Sequence, residues 1–271
     1  MAYLPMIARV NSLPPLPESV IELEKLYAQG DPDIDKLVKI IESDPSLTVD
    51  LLSKVNAPLY SFSRQIISVL QAVTLFGSAK IRAMVLSSVI ERNFDINLEP
   101  YGVTTQEFAK ISAMQSELMF QWYMGIDVES AKLLTPIAFL METGKILIAK
   151  DIIDRHKEDQ FLLDIQNYEK LSYVENIHVN MTTAQINALV FEHWKLNTTF
   201  IECMKYLDNE SETPNTIYRE VEALQIIRTT INLKEQFSKN SIENASQKIK
   251  RASYHLDKYL HVVKRIKQKY L

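Results

Sequence analysis

From residue 18 onward the apolar positions recur every three or four residues and almost never every second one. That period marks helices with one buried face, and the lack of alternation argues against strands. Val20, Leu23, Leu26 and Tyr27 make the first stripe, led in by prolines at 14, 15 and 17 and stopped by Gly30. Ile34, Leu37, Val38 and Ile41 make the second, behind an acidic cap at Asp31 or Asp33. Asp44-Pro45 interrupts the chain; Leu47, Leu51, Leu52 and Val55 resume it as far as Asn56-Ala57-Pro58. Val69, Val73 and Leu75 follow Ser68, and an apolar helix from Ile81 to Ile90 follows Gly77. Short connections between these segments predict an N-terminal helical bundle over residues 1–100.

The period fades across residues 97–105, where Pro100 and Gly102 fall, which predicts a boundary and a second helical domain over 101–271. Thr104 and Glu107 form a capping box for a helix carrying Phe108, Ile111, Gln115, Leu118, Met119 and Trp122, closed by Gly125. The next helix is expected from Ser130 to Ile153, kinked at Pro136. Residues 154–181 show no clear period. Thr182 or Thr183 caps a helix reaching Trp194, and Thr198 begins another. From Asn240, with Glu243 as its capping partner, Ile242, Ala245, Ile249, Ala252, Leu256, Tyr259, Val263, Ile266 and Tyr270 are spaced alternately three and four apart. This heptad seam predicts one long C-terminal helix. Ala and Tyr suit a coiled-coil seam poorly, so packing on its own chain is expected over pairing with another. The fold class is all-α.

Five glycines in 271 residues agree with helices rather than turn-rich sheets. No apolar run approaches the roughly 20 residues of a membrane span. The start MAYLPMIARV has no basic region followed by an apolar core, so a cytoplasmic protein with no membrane contact is expected. One cysteine, Cys203, excludes an internal disulfide and a Cys-rich zinc cluster. The net charge of -4 conceals a basic tail: residues 248–271 carry eight Lys or Arg against Asp257, leaving −11 for the rest. That tail either docks on the acidic body or meets an acidic partner such as nucleic acid. Docking is the expectation, because no stacking aromatics, helix-turn-helix or zinc module accompany the charges.

Candidate chemistry centres on residues 138–150, AFLMETGKILIAK. A phosphate loop would need a Gly at Phe139 and a Ser or Thr at Ile146, so Gly144-Lys145 is expected to be a close helix approach with the lysine reaching solvent. Glu142 is expected on a helix surface or as the buried partner of a Lys. The five histidines show no metalloprotease spacing, and no nucleophile elbow exists. His193 and Cys203, ten residues apart, would lie about 15 Å apart along a helix, too far for a nucleophile and its base.

The segment FLMETGKI resembles the second-helix motif of the HD-domain phosphohydrolases, Leu-Leu-His-Asp-Ile-Gly-Lys. LPPLPESV, DPDIDKLVKIIESDPSLTVDLLSKVNAPLYS and SVLQAVTLFGSAKIRAMVLSS are similar in order and spacing to the HDOD family, a relative of the HD fold, and the resemblance spans residues 12–210. It implies a degenerate HD-like bundle in the second half. Carried over residue by residue, the His-Asp pair falls on Met141 and Glu142, the preceding ligand on Gln115, a later one near Thr183, and the last near Met204-Lys205-Tyr206. A thioether, an amide and a hydroxyl do not replace imidazoles around a divalent ion, so no metal, no cofactor and no catalysis are expected. The resemblance implies a non-catalytic regulatory or signal-transduction module in a bacterial cytosol, binding a protein partner or a nucleotide-like ligand. A family stretch facing the same side offers Asn56, Tyr60 and Arg64 as ligand-binding candidates; the alternatives are a helix cap for Asn56 and a core position for Tyr60. Two rival functions remain: a residual metal-dependent phosphohydrolase around Glu142, and nucleic-acid binding through Lys248 to Lys269.

Overall fold

The computed structural model describes residues 4–60, 64–93 and 96–271. They form sixteen α-helices and three short 3-10 turns, with one isolated bridge between Ile231 and Gln236 and no strand among the described residues. The chain divides into two compact units, Pro14–Asp95 and Met1–Leu13 with Ile96–Leu271. The first helix, α1 (Leu4–Asn11), therefore belongs with the later residues, whereas the sequence pattern groups it with the N-terminal bundle. It packs on later helices of that unit: Arg9 pairs with Asp154 at 2.7 Å, and His193 Nε2 lies 3.0 Å from the carbonyl of Leu13. An eight-residue stripe with its partners far along the chain carries no local sign of where it docks.

The smaller unit holds α2 (Glu18–Ala28), α3 (Ile34–Glu42), α4 (Pro45–Val55), α5 (Val69–Phe76) and α6 (Ser78–Asn93). Three are capped as their sequences dictate, Asp33 accepting from the Lys36 amide, Asp44 from Leu47 and Ser68 from Gln71. Val20, Leu23, Leu37, Ile41, Leu47, Leu51 and Val55 are fully buried, and α6 is buried on nearly every side. Such an all-round buried helix must satisfy its polar groups internally. Arg82 does so by a bidentate pair with Glu24, at 2.8 and 2.5 Å.

In the larger unit α7 (Thr105–Tyr123) begins at the expected capping box of Thr104 and Glu107. The helix expected from Ser130 to Ile153 is two helices, α8 (Val128–Leu140) and α9 (Gly144–Asp154), and α8 is capped by Asp127. The break lies at residues 141–143, and Pro136 sits inside α8. At the break, side chains take hydrogen bonds that the helix backbone would otherwise make. Thr143 Oγ1 donates to the Leu140 carbonyl at 2.8 Å, and Asn187 Nδ2 donates to the Met141 carbonyl at 2.7 Å, so acceptors the helix would use internally are taken. Two helices, α10 (Glu158–Asn167) and α11 (Leu171–Val179), occupy the stretch that lacked a period. Then come α12 (Thr183–His193), with a capping box of Thr182 and Gln185, α13 (Thr198–Tyr206) and α14 (Tyr218–Thr230).

The single long C-terminal helix is likewise two, α15 (Lys239–Arg251) and α16 (Leu256–Tyr270). Ser238, not Asn240, caps the first. Ser253 has a positive φ of 58°, and the Tyr254 amide donates back to the Ile249 carbonyl at 3.1 Å, the hydrogen bond of a helix end turned through a left-handed residue. The turn delivers Tyr254 to Trp122, ring centroids 5.3 Å apart, and its hydroxyl to that of Tyr123 at 3.2 Å. The seam itself survives: Ala245, Ile249, Tyr259, Val263, Ile266 and Tyr270 are buried, with α15 on α14 and α16 on α7 of the same chain. Part of the basic tail docks as well. Lys269 and the Tyr270 hydroxyl meet Glu117 at 2.8 and 2.7 Å, and Arg265 Nε donates to Gln121 at 3.0 Å. Among the described residues no helix is long and apolar enough to cross a membrane.

Candidate functional site

The break between α8 and α9 places Glu142 in the turn and Lys145 in the first turn beyond it. Gly144 lets α9 press on the start of α12, since a Cβ there would lie 2.5 Å from the Thr183 carbonyl and 3.2 Å from Asn187 Oδ1. The expected close approach at Gly144 is present. The expectation that Lys145 reaches solvent is overturned: it is 3% exposed. Its Nζ donates to Glu142 Oε2 at 2.5 Å and Thr183 Oγ1 at 3.2 Å, and lies 3.4 Å from Glu175 Oε1. Two carboxylates and a hydroxyl thus answer three ammonium donors, which is what makes a buried lysine tolerable.

The cluster extends on both sides. Gln115 Nε2 donates to Glu142 Oε1 at 3.1 Å and to the Ile231 carbonyl at 2.8 Å. Glu175 accepts from the Thr183 amide and hydroxyl, each at 2.7 Å, and from the Tyr101 hydroxyl at 3.0 Å. Burial would raise the Glu142 carboxyl, but the Lys145 ammonium and the Arg228 guanidinium hold it below the usual carboxylate range. Burial would lower Lys145, yet Glu142 and Glu175 hold it above its ordinary value. Burial and the neighbouring Glu175 carboxylate push the Tyr101 phenol well up. Glu142 is therefore ionised, Lys145 charged and Tyr101 neutral at neutral pH.

A cleft of about 450 Å³ opens over this floor, lined also by Asp208, Gln225 and Arg228. Arg228 donates to Asp208 Oδ1 at 2.7 Å and to the Leu207 carbonyl at 3.0 Å. Gln225 Nε2 donates to that same carbonyl, whereas its buried Oε1 has no partner.

Of the five places aligned with HD-type ligands, Glu142 and Thr183 bond Lys145 directly, and Gln115 bonds Glu142. Met141 does not join them: it is fully buried, and its carbonyl serves Asn187. Of Met204-Lys205-Tyr206, Met204 is buried and Lys205 faces Glu192 on the surface at 3.8 Å. Cys203 is buried, and burial pushes its thiol up. The donor set does not fit a divalent ion, because both nearby carboxylates already share an ammonium and the remaining groups are an amide and a hydroxyl. Among the described residues no group of three or more His, Cys, Asp or Glu is placed to hold a metal ion.

Asn56, Tyr60 and Arg64 lie in the smaller unit and do not converge. Asn56 ends α4 with φ −92°, outside the left-handed region, and staples its loop through Leu52 and Ile66, with three contacts of 2.8 Å. It borders a groove with Pro58, Ile66 and Ile67 that Tyr60 and Arg64 do not line. Tyr60 is half-buried, edge-on to Phe76 at 4.9 Å, and Arg64 is exposed. The resemblance to the HD-type motif had pointed to Glu142 but not to Glu175, Tyr101, Asn187 or Arg228, which come from four separate helical or turn segments.

The chain is all-helical, and an internal ion cluster occupies the position aligned with the HD-type motif. The HDOD domain model matches residues 13–210, and the chain belongs to the HDOD family. It is similar to a solved structure described as a virulence factor from Campylobacter jejuni subsp. jejuni, with 26% identity, 99% of this chain and 96% of that one covered, and a TM-score of 0.62. A structure from Shewanella amazonensis SB2B, provisionally named a phosphohydrolase, matches at 15% identity over 97% and 93% of the two chains, TM-score 0.65. Another from Marinobacter aquaeolei VT8, provisionally named a signal transduction protein, matches at 18% identity over 98% and 65%, TM-score 0.67. Comparison with curated proteins gave no match.

Proposed function

We propose that this chain is a non-catalytic regulatory module of the HDOD type, acting in signal transduction by binding a protein partner or a nucleotide-like ligand. The observation that carries this reading is the Lys145 ammonium held between Glu142 and Glu175. A hydrolase of the HD type needs its carboxylate free for an ion that activates water, and here that carboxylate is committed to a lysine. The provisional signal-transduction name of the Marinobacter structure agrees with the reading. The phosphohydrolase name of the Shewanella structure comes with 15% identity, and likeness at that level concerns the fold. Docking of α16 on α7 weighs against nucleic-acid binding through the tail, since Arg265 and Lys269 are spent on Gln121 and Glu117. The test is hydrolysis of p-nitrophenyl phosphate and bis(p-nitrophenyl) phosphate with magnesium, manganese, nickel or zinc supplied. No turnover above the protein-free rate is expected. Turnover abolished in Glu142→Gln would overturn the proposal.

A further inference from the structure

We propose that the outward face of α15 and α16 is a docking surface for an acidic segment of a partner protein. This names the surface and the chemistry for the protein-partner half of the reading above, and rests on it. The inward side of these helices is occupied, with Ala245, Ile249, Tyr259, Val263 and Ile266 buried on their own chain. The basic tail is spent there only in part. Lys267 donates to the Phe237 carbonyl at 2.9 Å and Lys269 to Glu117 at 2.8 Å. Lys250, Arg251, Lys258 and Lys264 are exposed, and none has a hydrogen-bond or ion-pair partner among the described residues.

On α16, Lys258, His261 and Arg265 are spaced three and four apart, so they share one face, and Lys264 borders it. From Lys258 to Arg265 this face runs about 10 Å along the axis. Arg265 is steadied by Gln121, a neutral side chain, which leaves its charge in place. Acids on the two helices offset little of this. From Lys239 to the C-terminus they are Glu243, 4.0 Å from Lys239, and Asp257. Lys264 also precedes Lys267 by three residues, a spacing at which like charges repel.

The rest of the molecule selects the partner, because residues 1–247 carry −11. A long phosphate backbone or an anionic membrane would meet that acidic body together with the basic face and be repelled by it. Among the described residues from 239 onward, Leu271 alone of the large apolar side chains is exposed, so these helices have nothing to insert into lipid. A short acidic segment, with carboxylates recurring over about 10 Å, complements the basic face and touches little else.

Fluorescence anisotropy of the full chain tests this with three labelled probes. They are an alanine-rich peptide of about 20 residues with glutamate at every third or fourth position, the same peptide with glutamine in those places, and a mixed-sequence DNA duplex of about 20 base pairs. Saturable binding of the glutamate peptide is expected, weakening as salt rises from about 50 to 300 mM. The glutamine peptide and the duplex should each bind roughly ten-fold or more weakly. Lys258→Glu with Lys264→Glu should weaken the glutamate peptide roughly ten-fold or more. Lys25→Glu with Lys36→Glu, which reverses two exposed cations of the smaller unit, should leave it within about two-fold. Both double variants have the same net charge, so the comparison separates this face from bulk charge. The milder Lys258→Ala with Lys264→Ala, expected to melt as the native protein does and still to weaken the peptide, guards against a fold broken by the reversals. No binding of the glutamate peptide at about 100 μM, an equal loss in the two charge reversals, or tighter binding of the duplex would overturn the surface and leave the non-catalytic reading intact. Metal-dependent turnover that is lost in Glu142→Gln would overturn that reading and leave peptide binding unmoved.

Discussion

Lys145 Nζ and Glu142 Oε2 are 2.5 Å apart, on side chains only 4% and 2% exposed, three residues apart across the end of one helix and the start of the next. The pair bridges the break between α8 and α9 and occupies the position aligned with the HD-type motif.

Removing the cation exposes what it compensates. Lys145→Met leaves Glu142 and Glu175 buried without their ammonium and is expected to cost about 3–5 kcal/mol. Urea unfolding followed by circular dichroism measures it. Adding Glu142→Gln to the same chain should restore part of the loss, because one uncompensated charge is then gone. A loss below about 1 kcal/mol in the single variant would mean the pair is relaxed or hydrated.

The same pair sets a pH signature. Glu142 is held below its ordinary value, so its contribution is present above the unfolded-state carboxylate range and drains as pH falls through the folded one. Lys145 is held above its ordinary value, so its contribution is complete below the unfolded-state lysine range and drains as pH rises through the folded one. The stability difference between the native protein and Glu142→Gln should be flat from about pH 6 to 9 and shrink on both sides. A difference that varies steadily across neutrality would point to another titrating group.

Glycine 144 is the hinge of the arrangement. Gly144→Ala puts a methyl 2.5 Å from the Thr183 carbonyl, and backbone must move to admit it. A loss of about 1–3 kcal/mol is expected by thermal or urea unfolding. Gly125→Ala is the control: the nearest atom is the Trp122 carbonyl at 3.7 Å and φ is not positive, so that change should be neutral or stabilise by up to about 1 kcal/mol.

At the C-terminus, Tyr270→Phe removes the 2.7 Å hydrogen bond to the buried Glu117 and should cost about 1 kcal/mol, read as a lower urea midpoint at unchanged slope. No change would mean that the other partners of Glu117, among them Lys269 and the Gln121 amide at 2.8 Å, satisfy that carboxylate.

Most helices were legible in the sequence because their caps and stripes are local features. Asp33, Asp44, Ser68 and Thr104 each sit one residue before the helix they start. The breaks at 141–143 and 252–255 were not legible, for a physical reason. At the first, Asn187, far along the chain, takes the Met141 carbonyl, and the second uses Ser253 in a left-handed conformation where glycine is the usual signal. The site was half legible. The HD-like motif located Gln115, Glu142 and Thr183, but the Lys145 environment rests on Glu175, which lies in a stretch without a readable period and meets Lys145 only through the packing of α11 against α9. Isolated lysines in sequence are expected at the surface, and only tertiary structure reports a pair of carboxylates waiting for one.

Divalent-metal occupancy tests the central claim most directly. The native chain, purified without chelator and dialysed against manganese or zinc, is assayed by inductively coupled plasma mass spectrometry alongside Glu142→Gln. With the ammonium of Lys145 satisfying Glu142 and Glu175, metal should stay far below one ion per chain and not differ between the two proteins. Stoichiometric metal in the native chain that disappears in Glu142→Gln would contradict the account.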